Sequence, residues 1–445
     1  MYILEERLSS SRALASVSAM VTCAMKQLHC AALLLAGALT ASHSLAEESP
    51  TLPAPDTPET LATGVRNVAD ADADADSLQQ RRQLQAAITE LESEYGAYSP
   101  VLPERLLSLG MALQAEGRHV DAAAVFKRGT HLARVSSGLY STEQLPLLES
   151  EISSLQAIGD HLAVDERQRY LYRVQSKAPL TPEQRAKGLL QQADWQRQAF
   201  FLTIDEDPGL RLLQMWEYYR LALNEVLGHQ GDTSRDLLPP LYGMLQAQYM
   251  ISAYRWAENT EDVSRSFSGN GLRPPTSAYQ RDNFDRGRAV LNAIYNLETR
   301  NSDVDSGAAT RALTMMGDWL LWHGDREDAI AQYTQALAEL ADDTAAQALA
   351  AELFAAPVPL PAMEGLELHA PLAAEGVGDI LLSLTVDARG KVANVERVDD
   401  SGEASGAANQ LMRKLRRTPF RPRFDLASGT PVATDNWVMA YDSTR

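Results

Sequence analysis

The sequence predicts a mostly α fold: a solenoid of stacked helix pairs, followed by a small α+β module. Three observations carry this. From about Arg82 onward, apolar residues recur at helical spacing. Two stretches, around Gly110 and Gly317, repeat one set of small and aromatic residues at the same offsets. Beyond Pro361 the apolar period shortens to two, the alternation of a strand.

The N-terminal elements come first. From Met25 the chain carries one lysine, Lys26, then an apolar stretch from Cys30 to Leu39, then Ser44-Leu45-Ala46. That order is the pattern of a cleavable secretory signal, so residues 1–46 are expected to be an extension plus signal peptide, with the mature chain starting at Glu47. Both cysteines, Cys23 and Cys30, fall in the removable part, which leaves no disulfide and no cysteine ligand. Residues 47–82 hold Pro50, Pro53, Pro55, Pro58 and the aspartate alternation Asp70 to Asp76. Such composition is too polar to bury a core and reads as a flexible acidic linker.

The helical body is expected over residues 83–350. Gly110, Gly117, Ala122 and Phe126 share their offsets with Gly317, Gly324, Ala329 and Tyr333. Small residues where helices cross and a glycine in the turn between them are the requirements of a stacking helix pair. Further helices are expected at 183–201, opened by Thr181-Pro182, and at 283–298, opened by Asp282 or Asn283. The segment Phe126-Lys127-Arg128 to Leu145-Pro146 is echoed by Tyr218-Tyr219-Arg220 to Leu238-Pro239. Residues 258–278, rich in serine, glycine and proline, read as a long loop.

Residues 351–368, with Ala355 to Pro361, are expected to be a linker that lets the body fold without the C-terminal module. Residues 369–445 form that module. Ile380, Leu382, Leu384 and Val386 mark a strand, and Asp387 to Gly390 a hairpin loop whose glycine supplies positive φ. Val392, Val395 and Val398 alternate imperfectly, which predicts a bulge. Ala408, Leu411, Met412 and Leu415 trace a helix stripe, and Val432 to Tyr441 a last strand.

The repeated offsets resemble those of the tetratricopeptide repeat (TPR), without its terminating proline. The run Val386-Asp387-Ala388-Arg389-Gly390-Lys391-Val392, Ser401-Gly402, Phe420-Arg421-Pro422 and Gly429-Thr430-Pro431-Val432 resembles the C-terminal domain of the TonB family. That second resemblance implies a module that takes up an extended peptide of an outer-membrane receptor by strand addition. It makes the last strand the candidate partner-binding edge: Asn436, Trp437, Val438, Met439 and Tyr441. The basic residues Arg413, Arg416, Arg417, Arg421 and Arg423 are candidates for steering an acidic partner.

The expected function is an exported periplasmic protein–protein interaction scaffold, whose partners are other envelope proteins. The alternative is a TonB-type energy transducer held at the inner membrane by an uncleaved segment 25–46, the one route to membrane contact. A formal charge of −19 argues against nucleic acid. No phosphate loop, GxSxG elbow or HExxH pair occurs, and the histidines share no metal-ligand spacing. Neither enzymatic activity nor a cofactor or metal is therefore expected.

Overall fold

The computed structural model describes residues 68–254, 281–300, 307–340, 344–363, 366, 378, 380–399 and 405–441, with side chains from residue 78 onward. The expected signal segment and the loop at 258–278 lie outside them. Helices run in chain order as α1 (Val68–Tyr95), α2 (Leu102–Ala115), α3 (His119–Ser137), α4 (Gln144–Ala157), α5 (His161–Gln175) and α6 (Pro182–Phe201). They continue as α7 (Gly209–Gln230), α8 (Leu238–Ala253), α9 (Asn283–Arg300), α10 (Ala308–Trp322), α11 (Arg326–Ala338) and α12 (Thr344–Phe354). From α1 to α11 each helix packs on the next along the chain, the local contact pattern of a solenoid.

Helix α1 begins at Val68, inside the expected linker. The alanines between the aspartates have the highest helix propensity, and acidic residues near a helix start favour the N-terminal dipole. Local preference thus outweighs low hydrophobicity here. The other boundaries obey their local signals. Thr181 and Gln184 form a reciprocal capping box at α6, and Pro239 falls in the first turn of α8.

The turns that close the helix pairs are built alike. Gly117, Gly159 and Gly324 have φ of 72°, 74° and 90°. The next residue's N–H bonds back across each turn: Arg118 to Leu113 O, Asp160 to Leu155 O and Asp325 to Leu320 O, at 2.9, 3.0 and 3.0 Å. This is the glycine-terminated helix end that satisfies otherwise free carbonyls.

Inside the helices, glycine serves close approach. A Cβ on Gly110 would lie 2.3 Å from the Phe126 ring, and one on Gly317 would lie 2.4 Å from Tyr333. Gly243 meets Tyr219 and Gly287 meets Trp319 in the same way. The pair α4–α5 departs from this scheme. Gln168 occupies the position of the aromatic, and Gln192 on α6 donates a buried 3.0 Å hydrogen bond to it. Nearby Asp165 accepts from Trp195 Nε1 at 2.9 Å and from both terminal nitrogens of Arg211 at 2.8 and 3.0 Å.

The C-terminal strands are β1 (Val358–Pro359), β2 (Ile380–Val386), β3 (Val392–Arg397), β4 (Phe420–Arg421), β5 (Arg423–Asp425), β6 (Thr430–Val432) and β7 (Thr434–Tyr441), with α13 (Ser405–Leu415) between β3 and β4. One antiparallel sheet has the order β3-β2-β7, while β1 pairs with β4 and β5 with β6. The β2–β3 register slips between Thr385 and Val386, where Asn394 and Val392 face consecutive residues. This places the expected bulge at Ala393. The Asp387 side chain closes the hairpin by accepting from the N–H groups of Arg389 and Lys391.

Body and module share a packed seam, although the module also keeps an apolar cluster of its own. Within the linker range, Val358 pairs with Arg421 and Pro359 with Phe420, and Leu360 N–H donates to Pro419 O at 3.0 Å. Phe424 of β5 joins Leu313, Tyr333 and Phe354 in one apolar cluster. Its ring stands edge-on to Phe354 and Tyr333, with centroids at 5.3 and 5.9 Å.

At the centre of this seam Arg421 makes a forked pair with Asp318 of α10. Nε reaches Oδ1 at 2.9 Å and Nη2 reaches Oδ2 at 2.7 Å, while Nη1 donates to Leu353 O at 2.9 Å. The Tyr333 hydroxyl donates to Asp318 Oδ1 at 2.8 Å. Burial opposes the charge on Arg421, but the Asp318 carboxylate outweighs it, so the guanidinium pKa is raised. Burial, and then the charge of Asp318, hold the Tyr333 phenol well above its ordinary pKa. Arg421, a candidate in the sequence for steering a partner, is only 5% exposed and faces inward, because the carboxylate it attracts belongs to its own chain.

Two substitution experiments test this packing. Replacing a helical glycine by alanine ordinarily stabilises by about 0.5–1 kcal/mol. Gly228→Ala, with nothing within 4 Å of the added carbon, is expected to gain about that much in a chemical melt. Gly317→Ala is expected to reverse the sign, because the Tyr333 ring it strikes is fully buried and tied to Asp318. Equal and stabilising shifts in both variants would refute the close-approach role.

The second experiment concerns the forked pair. Arg421→Met alone leaves the Asp318 charge buried without its main partner and is expected to cost roughly 3–5 kcal/mol. Combining it with Asp318→Leu should recover much of that loss, a non-additivity read from a double-mutant cycle. Purely additive losses would show that the two side chains act independently.

Candidate functional site

Two features of the module are candidates for a partner-binding surface: the outer strand β7 and the basic side of α13. Strand β7 pairs with β2 through Leu382 with Met439 and Leu384 with Trp437. Among the described residues, no strand pairs with its other side.

Which backbone groups face outward is set by β2. Leu381 O accepts from Val398 N–H at 3.0 Å, and Leu381 N–H donates to Asp399 Oδ2 at 2.9 Å. Both groups of Leu381 therefore point toward β3, and alternation turns those of Leu382 toward β7. Met439, opposite Leu382, directs its own N–H and C=O inward. Those of Val438 point away from the sheet. Between Leu384 and Val386 the β7 register slips, and Asn436 has φ 51°, a bulge that ends regular pairing.

Side chains alternate with the strand. Val438 is 55% exposed, whereas Met439 and Tyr441 are buried in the module core. The half-buried Trp437 stands edge-on to Phe420 at 6.2 Å. Met439 and Tyr441 are candidates for partner contact in the sequence. Their side chains instead fill the space under α13, so only their backbone belongs to the strand edge. Asn436 and Val438 are exposed.

The opposite edge, β3, is treated differently. Arg416 of the α13 end reaches back and donates to Val395 O at 3.3 Å. Because Val398 and its register-mates face β2, Val395 O points outward, so this guanidinium covers an edge carbonyl. Arg423 lies exposed on β5, where its charge helps lower the Asp425 carboxyl pKa, behind the hydrogen bonds from Ala427 and Ser428.

Arg413 and Arg417 turn elsewhere. With Lys414 they line a cleft of about 810 Å³ between α13 and the body, whose opposite wall is Ala253 at the end of α8 and Trp322 at the end of α10. The Trp322 indole N–H donates to Ser252 Oγ at 2.8 Å and its ring stands edge-on to Tyr249, which fixes its position. Lys414 stays exposed to solvent, and the partial desolvation of its stem against the cleft lowers its pKa. The basic run is legible in the sequence. Its separation into a buried member, an edge cap and a cleft wall is not, and neither Trp322 nor Ala253 carries any sequence signal for a site. Among the described residues no group of three or more His, Cys, Asp or Glu side chains is placed to hold a metal ion.

No protein-family model matches the chain. No curated protein is similar to it at a significant level. Among solved structures, the chain is similar to the nearly identical TPR-like repeats of a kinesin light chain from Podosopora anserina, at 12% identity and a TM-score of 0.32. That likeness covers 50% of this chain and 90% of the other. A variant of the same protein is 11% identical with a TM-score of 0.36, covering 57% and 96%. BtubC from P. vanneervenii is 11% identical with a TM-score of 0.35, covering 59% and 90%.

Proposed function

We propose that this chain is a non-enzymatic protein–protein interaction scaffold of the periplasm, whose TonB-like module captures an extended segment of an envelope protein on β7. The observation that carries this reading is the asymmetry of the three-stranded sheet. One edge carbonyl, Val395 O, is covered by Arg416, while the other edge offers the backbone of Val438 to the surface. A regular open edge is a hazard that folded proteins ordinarily blunt. An edge that no described strand pairs with, beside a capped one, supports a role in strand addition, where backbone groups supply affinity and flanking side chains supply selectivity. The helical body adds a long surface built from local packing, a form suited to holding further protein segments. The fit of body to module through Arg421 and Phe424 holds both surfaces in one frame.

The test of the edge is a pair of proline variants in the full chain, assayed by pull-down with an extended receptor-type peptide. Val438→Pro removes an outward donor and is expected to abolish capture while leaving the circular dichroism melt close to wild type. Met439→Pro removes an inward donor and is expected to unfold the module. Capture undiminished in a folded Val438→Pro variant would exclude this edge.

The compartment has its own test. Lys26, the apolar run to Leu39 and Ser44-Leu45-Ala46 support export with cleavage before Glu47. N-terminal sequencing of the protein from cells is expected to begin at Glu47. Protein that retains residues 25–46 and fractionates with the inner membrane would favour the energy-transducer reading instead.

A further inference from the structure

The cleft between α13 and the ends of α8 and α10 is not used by strand addition, and its chemistry is specific. Arg413, Lys414 and Arg417 lie within five residues, in a chain whose formal charge is −19. Among the described residues, none of the three makes an ion pair or a side-chain hydrogen bond, whereas neighbouring Arg416 and Arg421 are both committed. Complementing the dipole of α13 accounts for cations in its last turn. It does not account for Arg417, which lies past the helix end at Leu415. Three cations held together against a wall formed by Trp322 and Ala253 make a site that an anion would stabilise.

The geometry points to a short acidic peptide segment as the ligand of this cleft. Arg413 and Lys414 stand in the last turn of α13 and Arg417 follows two residues past its end, so three cations close together in the chain line one side of the cleft and can each meet a carboxylate of a short acidic segment. Gln410, one turn before Lys414, supplies an amide for the peptide backbone. A cleft of about 810 Å³ has room for a short segment and is larger than a lone phosphate needs.

The experiment uses the full chain and fluorescence anisotropy with two labelled peptides of equal length, one with three glutamates among serines and the other with three glutamines in their place. The glutamate peptide is expected to bind at least ten-fold tighter. Arg413→Gln with Arg417→Gln should weaken its binding at least ten-fold, and bound peptide should slow acylation of Lys414. Val438→Pro should leave this binding unchanged, so failure here and failure of the strand-addition reading are told apart. Equal binding of the two peptides, displacement by inorganic pyrophosphate at equal charge, unaltered binding by the double variant, or no binding at all would each overturn the proposal.

Discussion

The architecture of the C-terminal half depends on the buried charge pair between Asp318 and Arg421. The chain of dependence starts at Gly317, whose missing side chain lets the Tyr333 ring approach α10 closely. That position delivers the Tyr333 hydroxyl to Asp318, the next residue, and fixes the carboxylate for the forked approach of Arg421. Neither charge could stay buried alone, since a lone buried ion costs several kcal/mol. The pair therefore couples the packing of the repeat to that of the module. A glycine that marks a repeat in the sequence thus also sets the anchor point of a different domain.

From Arg421 the order spreads outward. Strand β4 pairs with β1, so the proline-containing segment after α12 is a structural seam rather than a tether. Phe420 N–H donates to Gly390 O, which ties the β2–β3 hairpin tip to the same seam. A side chain at Gly390 would strike Phe420 O at 1.9 Å, so glycine is required there for space as well as for its φ of 74°. With the hairpin and β4 held, α13 is set opposite the ends of α8 and α10. The open strand edge and the basic cleft both result from that placement.

A second polar centre holds the middle of the body. Arg211 brings α7 to Asp165 of α5 and to Gln196 of α6, and Asp205 is its other carboxylate partner. Burial works against the charges of both Arg211 and Asp165, and their mutual hydrogen bonds and attraction prevail, raising the one pKa and lowering the other. Where the outer pairs use a glycine under an aromatic ring, this region uses Gln168 with Gln192 and a buried ion pair. The two devices solve the same problem of aligning neighbouring helices. They differ in what a single substitution exposes: a cavity in one case, an unpaired polar group in the other.

By itself the sequence determined the elements and their order. Helical periodicity, the turn glycines, the Thr181 box and the strand alternation after Ile380 are local signals, and local sterics and backbone hydrogen bonding answer to them directly. The pair around Gly159 departs from the repeated offsets because Gln168 stands where the other pairs have an aromatic, although Leu148, Ile152 and Leu155, and Val164, Leu171 and Val174, keep the apolar helical spacing. The start of α1 is masked by its acidity, though alanine favours the helix. What only the tertiary structure decided was the fate of each side chain in the basic run and the last strand. Arg413, Arg416, Arg417 and Arg421 look alike in sequence. One is buried against Asp318, 103 positions earlier, one caps a strand edge, and two face a cleft. Likewise, alternation makes Val438 and Met439 opposite in kind, but only the pairing of β2 on one side says which of them faces outward. Long-range electrostatics and strand order are set by contacts between residues far apart in the chain, and those contacts exist only once the helices and the sheet have packed.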